Sequence, residues 1–135
     1  MMQAKDVRQV LKEADCLYTQ AEVEQQLDRM AQEITARHAD SNPIFLCVMT
    51  GAVVPAGHLL TRLNFPLELD YIHATRYAGE TTGGEVAWET EATSSFQDRD
   101  IIVFDDILDE GVTLAAIVDY CRQQGARNVY TAVLI

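Results

Sequence analysis

Ile101-Ile102-Val103-Phe104 is apolar at every position and is followed directly by two carboxylates, Asp105 and Asp106. A strand with one wet face alternates apolar and polar residues, whereas a strand covered on both faces does not. The run therefore predicts a strand inside a sheet with helices on both sides. Ile44-Phe45-Leu46-Cys47-Val48-Met49 has the same character, and residues 128–135 read as a third buried strand. Between these runs lie stretches with helical spacing, one through Leu59, Leu60 and Leu63 and one from Val112 to Gln124 closed by Gly125. Strand, helix, strand, helix, strand predicts an α/β fold with a parallel sheet and right-handed crossovers.

The rest of the chain decorates that sheet. Asp6 to about Leu17 predicts a short amphipathic helix with Val7, Val10, Leu11 and Ala14 on one face. Thr19 and Glu22 form a capping-box pattern ahead of a second helix, in which Val23, Leu27, Met30, Ala31 and Ile34 repeat at helical spacing. Leu67 to Tyr77 and Glu85 to Thr93 predict two strands of a hairpin, joined by the glycine-rich loop Ala78 to Gly84. A chain of 135 residues suits one domain. Residues 133–135 are apolar and end inside a predicted strand, so further C-terminal sequence is expected.

Composition excludes several classes of function. The net charge of −11 argues against nucleic acid, which needs a cationic surface. No apolar run approaches the roughly 18 residues of a membrane span. Cys16, Cys47 and Cys121 have neither disulfide-framework nor zinc spacing and read as reduced thiols of a cytoplasmic protein. His38 and His73 lack metal-ligand spacing, and His58 and Trp88 read as structural. Glu85 and Glu89 alternate on a strand and are expected to face water.

The chemistry concentrates where the strand at 101–104 ends, because ligands of parallel sheets bind at the carboxyl ends of strands. Paired carboxylates suit ribose hydroxyls and a hydrated Mg2+. Asp109 follows, then Glu110, Gly111, Val112 and Thr113 open the next helix. Gly111 allows close backbone approach, and the free amides of a helix start, with the Thr113 hydroxyl, can cradle a phosphate. A plain strand-to-helix turn capped by Asp109 is the simpler alternative.

The string Val103-Phe104-Asp105-Asp106-Ile107-Leu108-Asp109-Glu110-Gly111-Val112-Thr113 resembles the phosphoribosyl-diphosphate signature of type I phosphoribosyltransferases, and the chain as a whole resembles their bacterial hypoxanthine(-guanine) branch. The resemblance implies the type I phosphoribosyltransferase fold, a parallel sheet with N-terminal helices and a flexible hairpin loop, and a purine-salvage transferase that makes IMP or GMP and diphosphate from phosphoribosyl diphosphate and a purine base. It implies that Asp105 and Asp106 hold ribose hydroxyls and Mg2+, that Asp109 is the general base at purine N7, and that Asp105, Asp106, Ile107, Leu108, Asp109, Glu110, Gly111, Val112 and Thr113 wrap the phosphoribosyl group. It places Thr50 and Gly51 at the diphosphate and Arg76 and Tyr77 at the start of the closing loop. A homo-oligomer, dimer or tetramer, is implied by the same analogy.

There are departures. Thr50 stands where the family often has Lys, and Glu110 and Val112 replace a Thr and a Lys. The family's base-reading Lys, a stacking aromatic and a further metal-holding Asp come after the strand at 128–135, beyond this sequence. Two other functions remain open at this level, a non-catalytic nucleotide-binding relative and a transferase for adenine, xanthine or orotate. Read without the resemblance, Arg76 is equally a surface arginine and Tyr77 equally a packing residue.

Overall fold

In the computed structural model, residues 3–76, 86–108 and 111–135 are described. The elements in chain order are α1 (Ala4–Glu13), α2 (Gln20–His38), β1 (Ile44–Met49), α3 (Val53–Leu60), β2 (Glu68–Arg76), β3 (Val86–Thr90), β4 (Asp100–Asp105), α4 (Val112–Gln123) and β5 (Asn128–Val133). The strands form one sheet in the order β3-β2-β1-β4-β5. β1 pairs in parallel with β2 and β4, and β4 in parallel with β5. Among the described residues only the hairpin strand β3 runs antiparallel, against β2. The α/β parallel-sheet expectation holds, and the loop predicted over residues 78–84 lies outside the described residues.

The continuous apolar runs have a direct cause in packing. Phe45, Cys47, Ile102 and Phe104 point to one face, where Leu27, Ala31 and Ile34 of α2 and Ala56 and Leu59 of α3 cover them. Ile44, Leu46, Val48, Ile101 and Val103 point to the other, against Ile117 and Cys121 of α4. Each fully buried large side chain stabilises by roughly 1.5–3 kcal/mol, so β1 and β4 carry stabilisation on both faces. Cys47 and Cys121 are buried free thiols and Cys16 is exposed.

Local signals set the element ends. The Thr19 hydroxyl accepts the Glu22 amide at 3.2 Å, and the Glu22 carboxylate accepts the Thr19 amide at 3.2 Å, the reciprocal cap the sequence predicts for α2. Gly125 follows the end of α4 with φ +90°, where only glycine is unstrained. β3 is shorter than its predicted span because buried Asp70 of β2 accepts the Thr93 and Ser94 amides at 3.1 and 2.7 Å, pulling that segment out of pairing geometry.

Two expectations are corrected. The predicted first helix ends at Glu13 rather than near Leu17. α1 buries none of its residues, with Val10 53% and Leu11 69% exposed. Periodicity reports amphipathicity but not whether a partner surface exists. Likewise β5 is a half-exposed edge strand rather than a buried one, because among the described residues only β4 pairs with it.

Candidate active site

β4 ends at the centre of the sheet's carboxyl edge, between β1 and β5. By the strand's period of two, Asp105 continues the side of Ile101 and Val103, toward α4. Its Oδ1 accepts the Asp106 amide at 2.9 Å, which folds the carboxylate back over its own turn. Burial raises the Asp105 pKa to about 6; a hydrogen bond with the Asp106 carboxyl and its charge add to the rise, while the Asp106 amide opposes it. The pair is thus a concentrated, partly desolvated negative site. Its influence reaches Cys47, whose thiol is pushed up to about 11, first by burial and then by Asp105 and Asp106. Cys47 therefore stays protonated and is no nucleophile.

The turn after β4 is tied down by the main chain. The Leu134 and Ile135 amides donate to the carbonyls of Asp105 and Asp106 at 3.3 and 2.9 Å, and the Leu108 amide donates to the Ile135 carbonyl at 3.0 Å. Gly111 then opens α4 with φ +79°, and among the described residues no side chain caps the helix. Its carbonyl accepts the Ala115 amide at 2.9 Å, so the amides before Ala115 have no acceptor within the helix. Amides left free by the helix ladder and the positive end of the helix dipole favour an anion at this position.

These parts line one cleft of about 310 Å3, formed by Val48, Ala74, Asp105, Asp106, Ile107, Leu108, Gly111, Val112, Thr113 and Leu114. Seven of the residues predicted from sequence meet there. Gly51 stands beside them: a Cβ on it would lie 2.9 and 3.0 Å from the Asp106 carboxylate oxygens, so only glycine fits without moving that side chain. Thr50 is exposed, follows a cis peptide at Met49–Thr50, and its carbonyl accepts the Val53 amide at the start of α3. It does not line the cleft. Arg76 is the last residue of β2, two positions beyond Ala74. Asp109, Glu110 and Tyr77 lie outside the described residues.

Val48, Ala74 and Leu114 line the cleft and carry no polar group, so no motif marks them. Their only signal is position, at the carboxyl ends of β1 and β2 and in the first turn of α4. Trp88 packs on Tyr120 with ring centroids 5.0 Å apart, as a structural residue should. Two wider grooves, of about 470 and 440 Å3, lie between α2 and β5. Neither offers a carboxylate pair or a helix start, and a third, of about 540 Å3, has its one carboxylate, Asp28, paired with Arg62. Among the described residues no helix is long and apolar enough to cross a membrane.

Residues 13–135 match the family described as the phosphoribosyl transferase domain. The chain is 33% identical over 118 residues to the hypoxanthine-guanine-xanthine phosphoribosyltransferase of Tritrichomonas foetus, an alignment covering 87% of this chain and 64% of that one. It is 28% identical over 134 residues to the hypoxanthine-guanine phosphoribosyltransferase of Streptococcus thermophilus, covering 98% of this chain and 71% of that one. The solved hypoxanthine-guanine phosphoribosyl transferase of L. donovani superposes with a TM-score of 0.79 at 25% identity, covering 89% of this chain and 71% of that one. The chain thus spans about two thirds of the length of these relatives. With the paired acids, the glycine-opened helix and a family match that runs through both, the chain belongs to the phosphoribosyl transferase domain family.

Proposed function

We propose that the protein is a purine-salvage enzyme that transfers the 5-phosphoribosyl group from phosphoribosyl diphosphate to hypoxanthine, guanine or both, releasing diphosphate. The observation that carries the reading is the meeting of Asp105 and Asp106 with the glycine-opened start of α4 in one cleft. In this reading the carboxylates accept the ribose hydroxyls, and the amides from Gly111 onward hold the 5′-phosphate. Gly51 lets the backbone approach beside Asp106, on the side where the diphosphate leaves. The names of the relatives support the choice of a purine base.

Attack by purine N9 on the sugar C1 breaks the bond to diphosphate. Asp109 takes the N7 proton as the base becomes nucleophilic, a role typically worth ~10²–10⁴-fold. In this reading Arg76 and Tyr77 would bind the departing diphosphate and help exclude water. Asp105 and Asp106 fit Mg2+, since two crowded carboxylates offer hard oxygen donors and this ion keeps several of its waters. When bound there, the ion would neutralise charge on the diphosphate. The three free cysteines fit a cytoplasmic setting.

The test is diphosphate release from phosphoribosyl diphosphate and Mg2+ with hypoxanthine, guanine, xanthine, adenine and orotate in separate reactions. Release with hypoxanthine or guanine is expected. Silence with every base sinks the enzyme reading and leaves a nucleotide-binding relative, while release with adenine or orotate alone moves the substrate. Asp109→Asn is expected to lower turnover by ~10²–10⁴-fold, and unchanged turnover removes Asp109 from the base role.

A further inference from the structure

We propose that Asp70 is a positioning residue for the cleft: its buried carboxylate sets the far half of α4, and through the helix the direction of the amides that open it. The inference rests on the reading of that helix start as the site of the 5′-phosphate. Asp70 lies in β2 on the α4 side of the sheet, in step with Ile72 and Ala74, and is 4% exposed. A buried carboxylate is costly unless its oxygens are hydrogen-bonded. Oδ1 accepts the Tyr71 amide at 2.8 Å, and Oδ2 accepts the Thr93 and Ser94 amides at 3.1 and 2.7 Å. Thr93 and Ser94 belong to the segment that leaves β3, so one side chain fixes where that segment meets β2.

That segment holds two rings against α4. Trp88 precedes the pinned amides and buried Phe96 follows them. Both pack on Tyr120 of α4, Trp88 with ring centroids 5.0 Å apart and tilted, Phe96 at 6.1 Å and edge-on. The Tyr120 pKa is raised, first by burial and then by the charges of Glu91, Cys121 and Asp70, so the carboxylate acts on this ring across the gap between sheet and helix. Ile117 and Cys121 hold α4 down on the sheet, but apolar burial is non-directional. Ring pairs have preferred geometries, and here they fix the sideways setting of the helix. Tyr120 lies ~12 Å along α4 from Val112, about two turns. Over that length a helix moves as one body, so a shift at Tyr120 re-aims the amides at Gly111 to Thr113. Asp105 and Asp106 follow β4, and Gly51 follows β1, so they stay in place. The two ends of the ligand should therefore respond differently.

Asp70→Asn tests this, because it keeps the shape and turns one acceptor oxygen into an NH2 group among amide donors. Titration calorimetry on the 135-residue chain measures ribose 5-phosphate and, separately, diphosphate with Mg2+. Asp70→Asn is expected to weaken ribose 5-phosphate at least roughly tenfold and to leave diphosphate within about twofold. Tyr120→Ala, at a half-buried position, should give the same split, and Tyr120→Phe should restore wild-type binding. The double variant Asp70→Asn, Tyr120→Ala should lose no more than the larger single loss, because both act through one contact. Circular dichroism checks each fold, and if Asp70→Asn does not fold, the two Tyr120 variants decide. Unchanged ribose 5-phosphate binding, equal losses for both ligands or additive losses overturn the proposal. A wild-type chain that binds no ribose 5-phosphate sinks the phosphate-site reading itself, and the proposal with it.

Discussion

The geometry at Gly51 and Asp106 shows how one missing side chain shapes the site. The backbone of Gly51 runs so close to the Asp106 carboxylate that a methyl group would sit 2.9 Å from Oδ2. Gly51→Ala should therefore push that carboxylate from its place while leaving the fold intact, since Gly51 is exposed. We expect phosphoribosyl diphosphate to bind at least roughly tenfold more weakly, equivalent to about 1.4 kcal/mol. Isothermal titration calorimetry with Mg2+ measures it, and unchanged affinity would remove the Gly51–Asp106 contact from the binding site. Gly111 is glycine for a different reason. Its φ of +79° is a conformation other residues adopt at a cost, and among the described residues no backbone atom crowds it.

Between elements, the contact of α2 with β5 carries a pH dependence. His38, the last residue of α2, is 4% exposed, its ring centroid is 4.4 Å from that of Tyr130, and its Nδ1 has no hydrogen-bond partner among the described residues. Burial lowers its pKa from 6.5, with Arg37 contributing in the same direction and Asp100 opposing. The folded chain thus holds a neutral imidazole where the unfolded chain takes up a proton. Stability is then full above about pH 6.5 and falls as pH drops below it, because the unfolded state binds the extra proton. Asp100 does not share that window. Burial would raise its pKa, but hydrogen bonds from Arg127 and Asn128 outweigh that and hold it below 3.8, so its contribution is lost only in stronger acid. Urea midpoints between about pH 7 and pH 5 should decline, and His38→Phe should flatten the decline. An equal slope in the variant would assign the proton uptake elsewhere.

At the scale of the whole molecule, the load falls on a sheet packed on both faces, and the N-terminal helix stands apart from it. α1 has a strongly amphipathic sequence yet buries no residue, while α2, α3 and α4 all contribute side chains to the two cores. Removal of residues 1–13 should therefore change the free energy of unfolding by no more than about 0.5 kcal/mol, the usual range for surface changes that touch no core. Chemical denaturation measures it. A loss of several kcal/mol would show that α1 has a partner surface in solution.

The amino-acid sequence by itself determined the strands, the helices and the cluster at 105–113. Unbroken apolar runs can be buried only inside a covered sheet, the Thr19–Glu22 box states its own helix start, and Asp105, Asp106 and Gly111 carry their chemistry in residue type and spacing. Tertiary structure decided what periodicity leaves open. Whether an apolar face meets a partner depends on what lies across from it, so α1 proved exposed and β5 proved an edge. It also decided which strand ends converge, because Val48, Ala74 and Gly51 reach the carboxylates from β1, β2 and the turn after β1 through strand order alone. Short-range patterns report the conformation of a segment, while a site in a parallel sheet is made by neighbours distant in the chain.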